Sequence, residues 1–92
     1  MEVGFYATLR PIVGGRTVEV ALSEGATVKQ LLDALAHRWP ALREQLFDED
    51  GSLSRRVNVF VDGRNVRWLP GRLATALGPE QQVDVFPPVA GG

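Results

Sequence analysis

The chain has 92 residues and a mass of 10.0 kDa, short of the ~100–150 residues of a typical domain, which leaves room for one hydrophobic core and not two. It holds no cysteine, one histidine (His37), one lysine (Lys29) and one tyrosine (Tyr6), so disulfide frameworks, zinc ribbons, iron–sulfur clusters and cysteine nucleophiles are excluded. Ten basic and eleven acidic side chains nearly cancel; with no basic stripe, no leader pattern in Met1-Glu2-Val3-Gly4-Phe5 and no apolar run near ~18 residues, neither nucleic acid nor membrane is an expected partner and the expected compartment is the cytoplasm.

The pattern Val3-Gly4-Phe5-Tyr6-Ala7-Thr8-Leu9 alternates as a strand, with Val3, Phe5, Ala7 and Leu9 on one face and Gly4, Tyr6 and Thr8 on the other. A Gly14-Gly15 turn leads into a second alternating run, Thr17 to Leu22, with Val18, Val20 and Leu22 inward. The two runs make a hairpin with a moderately long connection. Thr27-Val28-Lys29-Gln30 then fits a capping box, in which the threonine hydroxyl accepts from the backbone three residues on and the glutamine reaches back. The helix it starts has Val28, Leu31, Leu32, Leu35, Ala36 and Trp39 in one stripe and ends or is interrupted at Pro40. A further helical turn over residues 41–47 would extend the stripe through Leu42 and Leu46.

Asp48-Glu49-Asp50-Gly51-Ser52 lacks the ligand spacing and closing glutamate of a calcium loop and is expected to be a solvated turn. Residues 57–61 form a third strand with Val57, Val59 and Val61 inward and Phe60 outward. Asp62-Gly63 is a tight-turn signal that folds residues 64–67 back as a short fourth strand. An irregular stretch from Trp68 to Pro79 is expected to cover one end of the core, and residues 82–86 form the last strand, with Asp84 and Phe86 outward. The order β, β, α, β, β, β around one capped helix is that of an α+β, β-grasp (ubiquitin-like) fold. It implies a mixed sheet of about five strands over residues 1–86, followed by an extended tail over residues 87–92.

Catalytic chemistry is hard to assemble from these side chains. His37 falls on the polar face near the end of the helix, where a cation is favoured by the helix dipole, and the serines lie in turns, so an enzyme acting alone is not expected. The ending Phe86-Pro87-Pro88-Val89-Ala90-Gly91-Gly92 is different. Two prolines after a strand stiffen the exit, and six residues from Pro87 to Gly92 reach about 19 Å, enough to enter a partner's active site. Two terminal glycines leave the last carbonyl open to attack in a narrow channel. A ubiquitin-type strand order would also bring the outward rings of Tyr6, Phe60 and Phe86 together as a docking patch beside the tail.

These residues resemble the small subunit of molybdopterin synthase, the MoaD family of sulfur carriers, related to the thiamine-pathway carrier and to ubiquitin. The resemblance is carried by Val83 to Gly92, with support from Val3 to Arg10 and the Thr27-Val28 helix start. The chain departs from the family's frequent acidic turn before the last strand, having Gly78-Pro79-Glu80-Gln81 instead. The resemblance implies that Gly92 is adenylated by an E1-like adenylyltransferase using ATP and magnesium, with no cofactor held stably by the chain itself. A sulfur-donating enzyme then supplies the atom that makes the terminus a thiocarboxylate. In the large subunit of molybdopterin synthase the thiocarboxylate would give up its sulfur to a pterin precursor, with Phe86 and its neighbours contacting both partners. Two alternatives stay open. The same chemistry could serve tRNA thiolation, thiamine or cysteine synthesis, or join Gly92 to lysines as a ubiquitin-like modifier; or the chain could be a non-covalent interaction module.

Overall fold

The computed structural model describes residues 1–87. Eight regular elements follow one another: β1 (Glu2–Phe5), α1 (Arg10–Val13), β2 (Thr17–Glu19), α2 (Val28–Arg38), α3 (Pro40–Leu46), β3 (Asn58–Val61), β4 (Arg64–Asn65) and β5 (Val83–Phe86), with single 3-10 turns at Ala7–Leu9, Val66–Trp68 and Arg72–Ala74. The sheet order is β2-β1-β5-β3-β4, with β1 and β5 parallel and the other pairs antiparallel. This is the mixed five-stranded sheet expected of an α+β, β-grasp fold.

The inner face follows the sequence parity. Val3, Phe5, Val18, Val20, Val57, Val59, Val61, Val83 and Val85 are buried against Val28, Leu31, Leu32 and Leu35 of α2 and Leu42 and Leu46 of α3. At the start of α2 the Thr27 hydroxyl accepts from the Gln30 amide at 3.2 Å, and the Gln30 side chain accepts from the Thr27 amide at 2.8 Å. The capping box is therefore formed. The Val28 amide donates to the Thr75 carbonyl at 3.0 Å, which ties this end of the helix to the segment before β5. Pro40 separates α2 from α3 by ending the first helix and opening the second.

Several boundaries differ from the sequence expectation. The first strand stops at Phe5, because Ala7 takes φ +50° and the chain turns into Ala7–Leu9 and α1, where Pro11 sits in the first turn. Leu9 is still buried, but from a helical turn and not from the strand face, while Ala7 is exposed. The second strand ends at Glu19, although Val20 remains buried and its amide donates to the Met1 carbonyl. The fourth strand is cut to two residues because the Asn65 side chain accepts from the Arg67 amide at 3.0 Å and starts the Val66–Trp68 turn. Trp68, expected among residues covering the core, is instead 81% exposed; Leu69, Leu73 and Leu77 do the covering.

Candidate functional site: an aromatic row at the exit of β5

The register of three strands builds the site. β1 and β5 run parallel with Phe5 opposite Val85, and the backbone at Tyr6 stays extended (φ −126°, ψ 152°), so Tyr6 continues the outward parity and reaches Phe86 although the strand has ended. The two rings stack with centroids 4.0 Å apart and planes at 6°. On the other side, β3 pairs Asn58 with Phe86 and Phe60 with Asp84, so Phe60 meets Phe86 edge-on at 5.4 Å and 87°. Tyr6, Phe60 and Phe86, expected to neighbour one another, thus form one half-exposed row. Arg10 extends it: its guanidinium lies 5.2 Å from the Tyr6 ring centroid while Nε donates to the Phe5 carbonyl at 2.8 Å.

The row is anchored by a carboxylate. The Tyr6 hydroxyl donates to Asp84 Oδ1 at 2.9 Å, and Gln82 Nε2 donates to the same oxygen at 3.2 Å. Asp84 can lie there because its neighbour on β1 is glycine. A Cβ on Gly4 would meet Asp84 Oδ1 at 2.4 Å. The hydrogen bond to Asp84 holds the Tyr6 hydroxyl above its ordinary pKa; burial and the Asp84 charge push the same way, and the Arg10 charge opposes them. On the opposite flank Arg67 donates to Asn58 Oδ1 at 3.3 Å and to the Ser54 carbonyl at 2.7 Å, and Asn65 donates to the same Asn58 oxygen at 3.1 Å. A side-chain hydrogen bond thus holds the Tyr6 end of the row, and Asn58 ties the β3 strand that carries Phe60 to β4 and the turn after it. Ring contacts already made in the free protein do not have to be found during docking.

Sequence parity, combined with a ubiquitin-type strand order, places the three rings. It does not reveal Gly4 and Asp84 as their support, although a glycine and an aspartate at outward positions of two neighbouring strands were a readable signal. Arg10 and Arg67 escape it too, because both act from turns whose geometry is tertiary. Pro87, the first residue after β5, is buried. Pro88, Val89, Ala90, Gly91 and Gly92, named with Pro87 as the tail that enters a partner, lie outside the described residues.

Elsewhere the structure offers little chemistry. His37 is exposed in the last turn of α2. The Asp48–Ser52 loop is exposed and closes on itself: the Asp50 carboxylate accepts from the Ser52 hydroxyl at 2.6 Å and the Ser52 amide at 3.0 Å, which lowers its pKa. Among the described residues no group of three or more His, Asp or Glu is placed to hold a metal ion, and no helix is long and apolar enough to cross a membrane.

Residues 3–92 match the ThiS family. Small archaeal modifier protein 3 of Haloferax volcanii is 41% identical over 92 residues, covering 100% of this chain and 98% of that protein. Among solved structures, SAMP1 of the same organism superposes with a TM-score of 0.85 at 36% identity, covering 99% of this chain and 97% of that one. A chain of the BexX/CysO complex of Amycolatopsis orientalis gives 0.79 at 32% identity (99% and 98% covered). A putative molybdopterin converting factor subunit 1 of Pyrococcus furiosus gives 0.76 at 33% identity (96% and 95% covered). With its β-grasp fold, its braced aromatic row and a family match that runs to Gly92, the chain belongs to the ThiS family of ubiquitin-like sulfur carriers.

Proposed function

We propose that this protein carries sulfur as a thiocarboxylate on Gly92 and that the Tyr6–Phe86–Phe60 row docks the enzymes that load and unload it. In this reading the Gly92 carboxylate attacks the α-phosphorus of ATP in an E1-like adenylyltransferase, pyrophosphate leaves, and magnesium is held by that enzyme. A sulfur nucleophile at the oxidation level of hydrosulfide, brought by a donor enzyme, then attacks the acyl carbon. The C–S bond forms as the C–O bond to AMP breaks. At the acceptor the thiocarboxylate sulfur bonds to substrate carbon, and water hydrolyses the acyl–sulfur bond, returning the carboxylate. The observation that supports this best is the meeting, at one end of β5, of a preorganised ring row with the sequence Pro87-Pro88-Val89-Ala90-Gly91-Gly92 in a chain otherwise poor in reactive groups.

Two acceptors fit the reading. The first is the large subunit of a molybdopterin synthase, supported by the likeness to the Pyrococcus protein. The second is lysine, whose amine would attack the adenylated Gly92 acyl carbon and form an amide as AMP leaves, with no sulfur transferred and the protein acting as a ubiquitin-like modifier; it is supported by 41% identity to small archaeal modifier protein 3. ATP–pyrophosphate exchange with the adenylyltransferase tests the shared first step: it is expected for the full chain and lost on deleting Gly92. Supplying the loaded protein to the large subunit with a pterin precursor, beside a search for lysine-linked adducts in extracts, separates the two acceptors.

A further inference from the structure

A second surface adjoins the aromatic row. The β3–β4 hairpin and the turn after it enclose a shallow groove of about 530 Å³ lined by Phe60, Gly63, Arg64, Asn65, Trp68 and Leu69. Phe60 belongs to both surfaces: it meets Phe86 in the row and also lines the groove. Trp68 is the one large apolar side chain among the described residues that is exposed. The turn set by Asn65 turns it outward while Val66 and Leu69, on either side of the same turn, pack on the core. An exposed tryptophan beside a half-exposed phenylalanine is costly in water and is the composition of an interface centre.

Charge selects the occupant. Residues 53–79 carry Arg55, Arg56, Arg64, Arg67 and Arg72 and a single carboxylate, Asp62, whereas residues 1–52 carry eight carboxylates and five basic side chains. Asp62 is already engaged, accepting from the Gln82 amide at 2.9 Å. The only ion pairs among the described residues are those of the N-terminus with Glu19 and of Lys29 with Asp33, so among them Arg64 has no ion-pair partner at the groove. We infer that the groove is a docking site for an acidic segment of a partner protein that carries one large apolar side chain. That side chain would lie between Trp68 and Phe60, and a flanking carboxylate would pair with Arg64. Single-stranded RNA would also favour tryptophan and arginine, but it needs a basic track along its backbone, and Arg64 is the one charged side chain lining the groove. The site goes beyond the carrier reading, since, although it shares Phe60 with the row, it recognises a partner through Trp68 and Arg64 and needs no activation of Gly92.

The test uses the full chain with no enzyme present, so it can fail while the carrier reading stands, and the reverse. The indole N–H of Trp68, assigned against Trp39 with a W68F variant, is followed by NMR during titration with three probes. These are an acidic peptide with one central leucine (Asp-Glu-Leu-Glu-Asp, blocked at both ends), its Asn/Gln counterpart, and a mixed-sequence single-stranded RNA. The inference predicts that the acidic peptide moves the Trp68 indole and the Phe60 and Arg64 amides. Its binding should weaken about fivefold in R64E and at least about tenfold in W68A. Trp68 is exposed, so W68A leaves the fold intact, as an unchanged amide spectrum in β1 and β5 will show. No shift at millimolar peptide, equal binding of the neutral peptide, or tighter binding of the RNA would each overturn it.

Discussion

The support under the aromatic row can be interrogated through a single chromophore, because Tyr6 is the only tyrosine. Replacing Tyr6 by phenylalanine keeps the ring that stacks on Phe86 at 4.0 Å and removes only the hydroxyl that donates to Asp84 at 2.9 Å. A hydrogen bond to a charged group contributes about 1.5–3 kcal/mol where it is shielded; at this half-exposed position solvent screens it, and about 1 kcal/mol is expected. For a chain of this size that corresponds to a fall in Tm of roughly 4–8 °C. Its pH dependence has a definite sign. The folded protein holds the Tyr6 pKa above its unfolded value through the Asp84 hydrogen bond, so the stabilisation is complete below the unfolded pKa of about 10 and disappears as pH rises through the folded pKa. The Tm gap between wild type and Y6F should therefore be constant through neutral pH and close in alkali. Tyrosinate absorbance should show Tyr6 titrating late in the wild type and earlier in D84N, where the charge of the acceptor is gone. If Tyr6 titrates identically in both proteins, or if Y6F matches the wild type in Tm at neutral pH, the Gly4–Asp84–Tyr6 support is not real.

Other positions give independent checks. Thr27→Ala removes the capping-box acceptor of the Gln30 amide and should cost about 1 kcal/mol in denaturant unfolding, with T27S restoring most of it. Gly63→Ala places a side chain at φ +80° in the β3–β4 turn, next to Asp62 at φ +50°; a loss of about 1–2 kcal/mol is expected with no change in the core. Phe86→Ala removes both ring contacts at the centre of the row and should weaken binding to the adenylyltransferase at least about tenfold by calorimetry, while a circular-dichroism spectrum like that of the wild type shows the fold retained.

How far the sequence speaks depends on whether an element's cause is local. The α2 start was legible because a capping box needs only residues 27 to 30. The inner sheet face was legible because alternation fixes parity wherever one side is buried, and that same parity, combined with the β-grasp strand order, put Tyr6, Phe60 and Phe86 together. The early end of β1 was not legible: Ala7 has no preference for positive φ, and its turn is held by contacts made elsewhere, namely Leu9 in the core and Arg10 on the Phe5 carbonyl. The exposure of Trp68 escaped for a related reason. An indole in an apolar stretch reads as core, and only the Asn65 side chain, by capturing the Arg67 amide, decides that Val66 and Leu69 turn inward instead. The chemistry proposed for the ending rests on sequence alone, on two prolines and two glycines, because a reaction at a backbone carboxyl needs no side-chain constellation to announce it.

That reaction is also where the account is tested most directly. Intact-mass spectrometry of the full chain, after incubation with its adenylyltransferase, ATP, magnesium and a sulfide source, should show one oxygen replaced by sulfur, and fragmentation should place the change on Gly92. A mass unchanged under conditions in which the enzyme consumes ATP, or a sulfur located anywhere but the last carbonyl, would contradict it.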